Sequence, residues 1–129
     1  MEWKYIKEIK DQKAIEKIEI IYNIRIPILL KQIIMQYNGG RPLYNIFDTI
    51  YSKEKVFKSL ISYNKDDKDN IYLYEEIFDK GLIPFANTEF GDIICLNNKT
   101  NEVELYLHEL DKTEKICDSI SEFFDKLYI

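Results

Sequence analysis

Few side chains in this sequence could do chemistry. His108 is the only histidine among 129 residues. It stands beside Glu109 in a run of alternating polar and apolar residues. No second histidine or CxxC pair completes a zinc set, so it reads as a surface strand residue rather than a metal ligand. Cys95 could act as a nucleophile only if His108 reached it in space, and no cysteine-enzyme motif surrounds it. Cys95 and Cys117 follow no metal or redox spacing, and both read as buried thiols of a reducing compartment. Asp92, after Gly91, reads first as a turn residue opening a strand and second as a carboxylate at a sheet edge. Glu75, Glu76 and Asp79 fall on one predicted helix. Paired acids of a hydrolase come from separate elements facing across a cleft, so these three read as a solvated face. No metal or cofactor is expected. A small hydrolase using Asp92 or His108 is the least favoured of three functional readings.

Charge is more informative. The net charge of −5 is unevenly placed: residues 1–65 carry seven acids and twelve bases, residues 66–129 sixteen acids and six bases. The halves are thus +5 and −10. An acidic half disfavours nucleic acid, whose phosphates need clustered Lys and Arg, and favours a basic protein partner steered by the field. The chain has ten tyrosines, which offer contact area at low entropic cost with a polar end. Tyr72, Tyr74 and Tyr106 lie among the acids. The expected partner surface therefore draws on Asp66, Asp67, Asp69, Tyr72, Glu75, Glu76, Asp79, Glu89, Asp92, Glu104 and Tyr106. The plain alternative is a solvated face that only keeps the protein soluble.

The elements that would position these residues follow from periodicity. Pro27 suits a first helical position, and Leu30, Ile33, Ile34 and Tyr37 then recur at helical spacing. Asn38 stops this helix, Gly39 takes the left-handed conformation and Gly40 lets the chain turn away. The glycine pair sits at a helix C-terminus, so it is a cap and not a phosphate loop. Upstream, Trp3, Ile6 and Ile9 predict a helix over Glu2–Lys10, with Trp3 packed on the core. Asp11 caps a second helix carrying Ile15, Ile18 and Tyr22. Downstream, Leu43–Tyr51 reads as a strand and Ser52–Ser62 as a helix with Val56, Phe57, Leu60 and Ile61 inward. Asn64–Asn70 reads as a polar surface loop, and Ile71–Asp79 as a helix ended by Gly81. Leu82–Ala86, Asp92–Asn97 and Glu102–His108 are short strands of an antiparallel meander, with a hairpin loop at Asn97–Asn101. In the third strand Glu104, Tyr106 and His108 are expected on an open face. Ser119–Leu127 closes the chain as a helix.

These elements predict an α+β fold: one domain over residues 1–129, with a mainly antiparallel sheet packed by N-terminal, middle and C-terminal helices. Met1–Asp11 carries charges throughout and resembles no signal peptide, and no apolar run approaches the roughly 18 residues of a membrane span. A cytoplasmic protein with no membrane partner is expected, of undetermined oligomeric state.

Two motifs carry a family resemblance. Ile26–Gly40, an apolar-Pro start, an aliphatic helix and a terminal Asn-Gly-Gly, resembles the opening signature of the SUKH superfamily. Ile83–Leu96, with its polar turn, Gly91-Asp92 and apolar strand, resembles the second. Trp3 and the aromatic Ser119–Leu127 ending are similar too. That superfamily includes bacterial immunity proteins and fungal regulators of cell-wall synthesis. The resemblance implies a non-enzymatic protein that neutralises a cognate toxin domain, often a nuclease, or alternatively an adaptor. Ile28 and Leu29 stand where the family pattern is polar. Both are expected to be partly exposed or to cover an interface, Leu29 being the more outward.

Overall fold

The computed structural model describes residues 1–129. An extended N-terminal arm carries β1 (Trp3–Lys4), followed by α1 (Ala14–Tyr22) and α2 (Ile28–Tyr37). Three short strands come next: β2 (Arg41–Pro42), β3 (Ile46–Phe47) and β4 (Lys55–Leu60). A 3₁₀ turn (Ile71–Leu73) and α3 (Glu75–Asp79) precede β5 (Leu82–Thr88), β6 (Ile93–Asn97), β7 (Val103–Leu107) and β8 (Lys112–Cys117). The chain ends with α4 (Ile120–Asp125). Strands β3 to β8 form one antiparallel sheet in chain order, and β1 pairs with β2 in a separate ribbon. The α+β expectation holds, with more strand and less helix than the periodicity suggested.

The six-stranded sheet curls. After β3, the Ile50 N–H donates to the Lys115 carbonyl on β8 at 3.2 Å, and Thr49 Oγ1 donates to Glu114 at 2.8 Å. The two ends of the sheet are thereby drawn together, and α4 packs across the concave side. Its Phe123 is fully buried, with ring centroids 5.7–6.0 Å from Phe47, Phe57 and Phe85. Ser119 caps α4 by accepting the Glu122 N–H, while the Glu122 carboxylate accepts the Asp118 N–H. This reciprocal pair satisfies donors that a helix start leaves free. Trp3 packs as expected, stacked on Tyr37 at 4.6 Å and tilted against Phe124.

Around α2 the expected ending is present. Gly39 has φ 69°, and the Gly40 N–H returns to the Tyr37 carbonyl at 2.7 Å. Two details differ. Pro27, at ψ 146°, is the cap before the helix and not its first turn. Asn38 is more than a stop signal. It is 1% exposed; its Nδ2 donates to the Lys7 carbonyl and to Ser62 Oγ, and its Oδ1 accepts the Tyr63 N–H.

Four element assignments are corrected. Glu2–Lys10 is not a helix but an arm, because long-range partners replace the helical ladder: Asn38 and Asn64 bond its carbonyls and amides. Ser52–Ser62 is not a helix either. A β-bulge between Phe57 and Ser59 shifts the register of β4 against β5, so Phe57 and Leu60 are both buried at a three-residue spacing that imitates a helix. Leu43–Tyr51 is not one strand; only Ile46–Phe47 pairs, and Leu43, Tyr44 and Tyr51 are exposed. Ile71–Asp79 is broken at Tyr74 (φ −111°, ψ 27°) into a 3₁₀ turn and α3. The 64–70 loop is also not wholly at the surface, since Asn64 and Asn70 are buried. Strand β8 had no counterpart in the sequence reading. Ile28 and Leu29 are both exposed, at 74% and 42%, so Ile28 is the more outward of the two.

Candidate functional site

Strand β5 lies beside β6, and α3 packs against it. The residues of β7 that alternate toward this side are Glu104 and Tyr106, opposite Cys95 and Ile93 of β6. This face is only partly open: Glu104 is half-buried and His108 exposed, while Tyr106 is closed off. Tyr106 is only 9% exposed. Its hydroxyl donates to Asp111 at 2.7 Å, and Asp111 pairs with Lys80 at 2.8 Å. The Lys80 ammonium and the Tyr106 hydroxyl hold the Asp111 carboxyl below its usual range.

Between the 3₁₀ turn, α3 and the adjoining strand ends lies a cleft of about 570 Å³. Tyr72, Leu73, Tyr74, Glu75, Glu76, Ile77, Asn87, Gly91, Ile93, Tyr106 and His108 line it. Four of the expected partner residues therefore meet here: Tyr72, Glu75, Glu76 and Tyr106. The floor is built from Tyr74, whose hydroxyl lies 2.5 Å from Asp69 Oδ1 and 2.9 Å from Asn87 Oδ1. Asn87 Nδ2 in turn donates to Asp69 Oδ2. Burial first, and the Asp69 carboxylate second, push the Tyr74 phenol far above its ordinary range. Asp69 thus supports the cleft from behind.

The other expected residues are distributed differently. Asp79 is exposed on the last turn of α3, and Glu89 is exposed in the turn between β5 and β6. Asp92 closes that turn. Its carbonyl accepts the Thr88 N–H and hydroxyl, and its carboxylate accepts the His108 N–H at 3.3 Å. This is the turn role, extended to a tie between two neighbouring turns. Glu104 lies in an adjacent polar groove and accepts from Asn97 at 3.1 Å. Asp66 and Asp67 face the other way. Asp66 pairs with Lys10 of the arm at 3.6 Å, and Asp67 accepts the Ser62 hydroxyl.

Alternation and charge counting missed the cleft's apolar rim. Leu73 lines the cleft and is 66% exposed; Phe90, 86% exposed, precedes the cleft residue Gly91. Leu110, also exposed, follows His108 in the next turn, which Asp92 holds to the Phe90 turn. A large exposed apolar residue in each of three neighbouring turns is unusual beside carboxylates. The signal was present in the sequence as Phe90 between Glu89 and Gly91.

Cys95 is fully buried in β6, and burial raises its thiol well above the ordinary range. His108 is exposed in the turn beyond the Ile93–Tyr106 pair and not in the strand. No three His, Cys, Asp or Glu side chains are grouped to hold a metal. A second cavity, about 320 Å³, opens between β3 and β8 over Phe47, Ile116, Cys117 and Phe123. Its polar groups are engaged within the chain: Thr49 with Glu114, Tyr128 with Asp48, Lys126 with Glu122 and Cys117 with the Ser119 carbonyl. No helix is long and apolar enough to cross a membrane.

No curated protein and no solved structure matches the chain. A family model does: SUKH_6, described as SMI1-KNR4 cell-wall, matches residues 12–124, which include α2 with its Asn-Gly-Gly ending, the cleft and all but the last residue of α4, and leave out the N-terminal arm. The protein belongs to the SUKH_6 family, within the superfamily its two motifs indicated.

Proposed function

We propose that this protein is a non-enzymatic immunity protein that binds and blocks a cognate toxin domain through the acidic, tyrosine-lined cleft beside α3. Family membership supports the class, since SUKH proteins include immunity proteins. The observation that carries the surface is the unpaired state of its acids. Glu75, Glu76 and Asp79 stand together on α3 and form no ion pair within the chain. Their field reaches inward: after burial, Glu75 and Asp79 are what raise the Tyr22 phenol. Unpaired carboxylates next to exposed Leu73, Phe90 and Leu110 suit a basic partner that also buries apolar side chains.

The test is co-expression with a candidate toxic domain from a neighbouring gene, followed by association rates across a salt series. Charge reversal of Glu75, Glu76 and Asp79 together should slow association on the order of tenfold at low salt. It should leave stability within about 0.5 kcal/mol, as exposed substitutions do. A rate indifferent to both salt and reversal would move the contact elsewhere.

An adaptor is the second reading, and one observation favours it. Ile20 and Ile21 end α1 and Ile28 begins α2, all three exposed, giving an apolar corner distinct from the cleft. Several partners recovered from the native cell, in place of one, would select this reading.

A further inference from the structure

We infer that the N-terminal arm lies in a peptide-binding groove, and that this groove also takes the arm of a second copy of the chain, giving an arm-exchanged dimer. The inference does not depend on the cleft. How the arm is held is the first argument. The Lys7 N–H donates to the Asn38 carbonyl, and the Lys7 carbonyl accepts from Asn38 Nδ2, both at 2.7 Å. The Glu8 carbonyl accepts from Asn64 Nδ2, and the Lys10 N–H donates to Asn64 Oδ1, both at 2.9 Å. Each asparagine thus answers one N–H and one C=O of a stretch that belongs to no helix or strand. Only two side chains of the arm are taken in. Ile9 is buried, and Trp3 is half-buried against Tyr37, while Lys4, Lys7, Glu8 and Lys10 stay exposed. Main-chain hydrogen bonds with seats for a few spaced side chains are how a receptor reads an added peptide.

Connectivity is the second argument. The arm's hydrogen bonds end on residues 38–64, and none ends on α1, the element it leads into. Asp11 belongs to the helix side of the join, accepting the Ala14 N–H at 3.0 Å and the Lys13 N–H at 2.9 Å. A backbone change just before Asp11 would carry the arm away and leave the start of α1 intact. Asn38 and Asn64 lie inside the stretch that the family model matches, and the arm lies outside it. The arm is therefore a separate piece, joined to its receptor by one short connector. The occupant must offer an aromatic and a branched aliphatic residue six positions apart, as Trp3 and Ile9 do. It must also bring positive charge, since Lys10 faces Asp66 at 3.6 Å. A second copy supplies the identical segment, so exchange remakes every contact, and reciprocal exchange closes with two-fold symmetry. In cis the tether holds the arm at an effective concentration in roughly the millimolar range, which exchange must match.

The experiment removes the advantage of the tether by pairing two full-length variants. One, carrying Trp3→Ala with Ile9→Asp, keeps its groove but has no competent arm. The other, Asn64→Ala, keeps its arm but has a weakened groove. Mixed in equal amounts, they should form a heterodimer in sedimentation velocity at roughly tenfold lower concentration than either alone. The reason is that the intact arm gains in trans the two Asn64 hydrogen bonds it lacks in cis. A synthetic peptide of residues 1–11 is the second measurement, and it needs only the first variant. Titrated into that chain labelled with ¹⁵N, it should shift the side-chain amides of Asn38 and Asn64, and the same peptide carrying Ile9→Asp should not. A peptide that binds while the mixed chains stay monomeric overturns the exchange. A peptide that shifts neither asparagine, or one that binds equally well with Ile9→Asp, overturns the groove as well.

Discussion

Asn38→Ala should lower the unfolding free energy by about 3 kcal/mol, because it strands several buried groups at once. The Asn38 amide satisfies the Tyr63 N–H, the Lys7 carbonyl and Ser62 Oγ at 2.7–3.1 Å from a site with almost no exposure. Each buried group left without its partner costs about 1–3 kcal/mol, partly recovered where the arm can relax and admit water. Urea unfolding followed by Trp3 fluorescence is the measurement. The midpoint should fall with the slope nearly unchanged, since the surface exposed on unfolding stays similar. Asn38→Asp, close in shape but lacking the two Nδ2 hydrogens and carrying a charge, should fail to restore stability. A loss below about 1 kcal/mol would mean that the arm docks by its apolar contacts alone.

Gly39→Val is expected to cost on the order of 1–3 kcal/mol, from two causes that can be separated. The residue has φ 69°, where a β-branched side chain is strongly disfavoured. An added Cβ would also sit 3.2 Å from Lys7 Cδ, closer than ordinary contact. Gly81 is the internal comparison, at φ 81° with nothing within 4 Å of an added Cβ. Gly81→Ala therefore reports backbone strain alone, and Gly39→Ala should exceed it by the contact with Lys7. If Gly39→Val leaves the midpoint unmoved, the turn has another way to close and the helix ending is not what holds the arm.

Sequence periodicity read well where the pattern is local. The meander from Leu82 to Leu107 was legible because short apolar runs there are separated by turn residues, and α4 because Ser119 and Glu122 cap it within one turn. It failed where a remote group decides. Trp3, Ile6 and Ile9 are spaced for a helix, yet the arm's carbonyls and amides are answered by Asn38 and Asn64, far along the chain. Phe57 and Leu60 mimic helical spacing because of a bulge that no residue announces. Pro84 sits inside β5 because the β5–β6 register shifts next to it, between Pro84 and Ala86. For the candidate cleft, composition pointed to Tyr72, Glu75, Glu76 and Tyr106, which the structure brings together. It could not know that Asp66 and Asp67 turn toward the arm.

The chain-order pairing of β5 to β8 also favours an order of assembly. Contacts within those hairpins join residues near in sequence, so closing them sacrifices little chain entropy. The arm is the opposite case, with Lys7 bonding Asn38 across 31 positions and Lys10 bonding Asn64 across 54. Asparagine amides, which hold direction but bury little apolar surface, are its fasteners. Docking the arm should therefore follow the rate-limiting step, so that kinetic φ-values are near zero at Asn64 and higher at Leu96 and Val103. Lesions in the arm would then leave the folding rate alone and speed unfolding, making the first ten residues the element that sets how long the native state lasts.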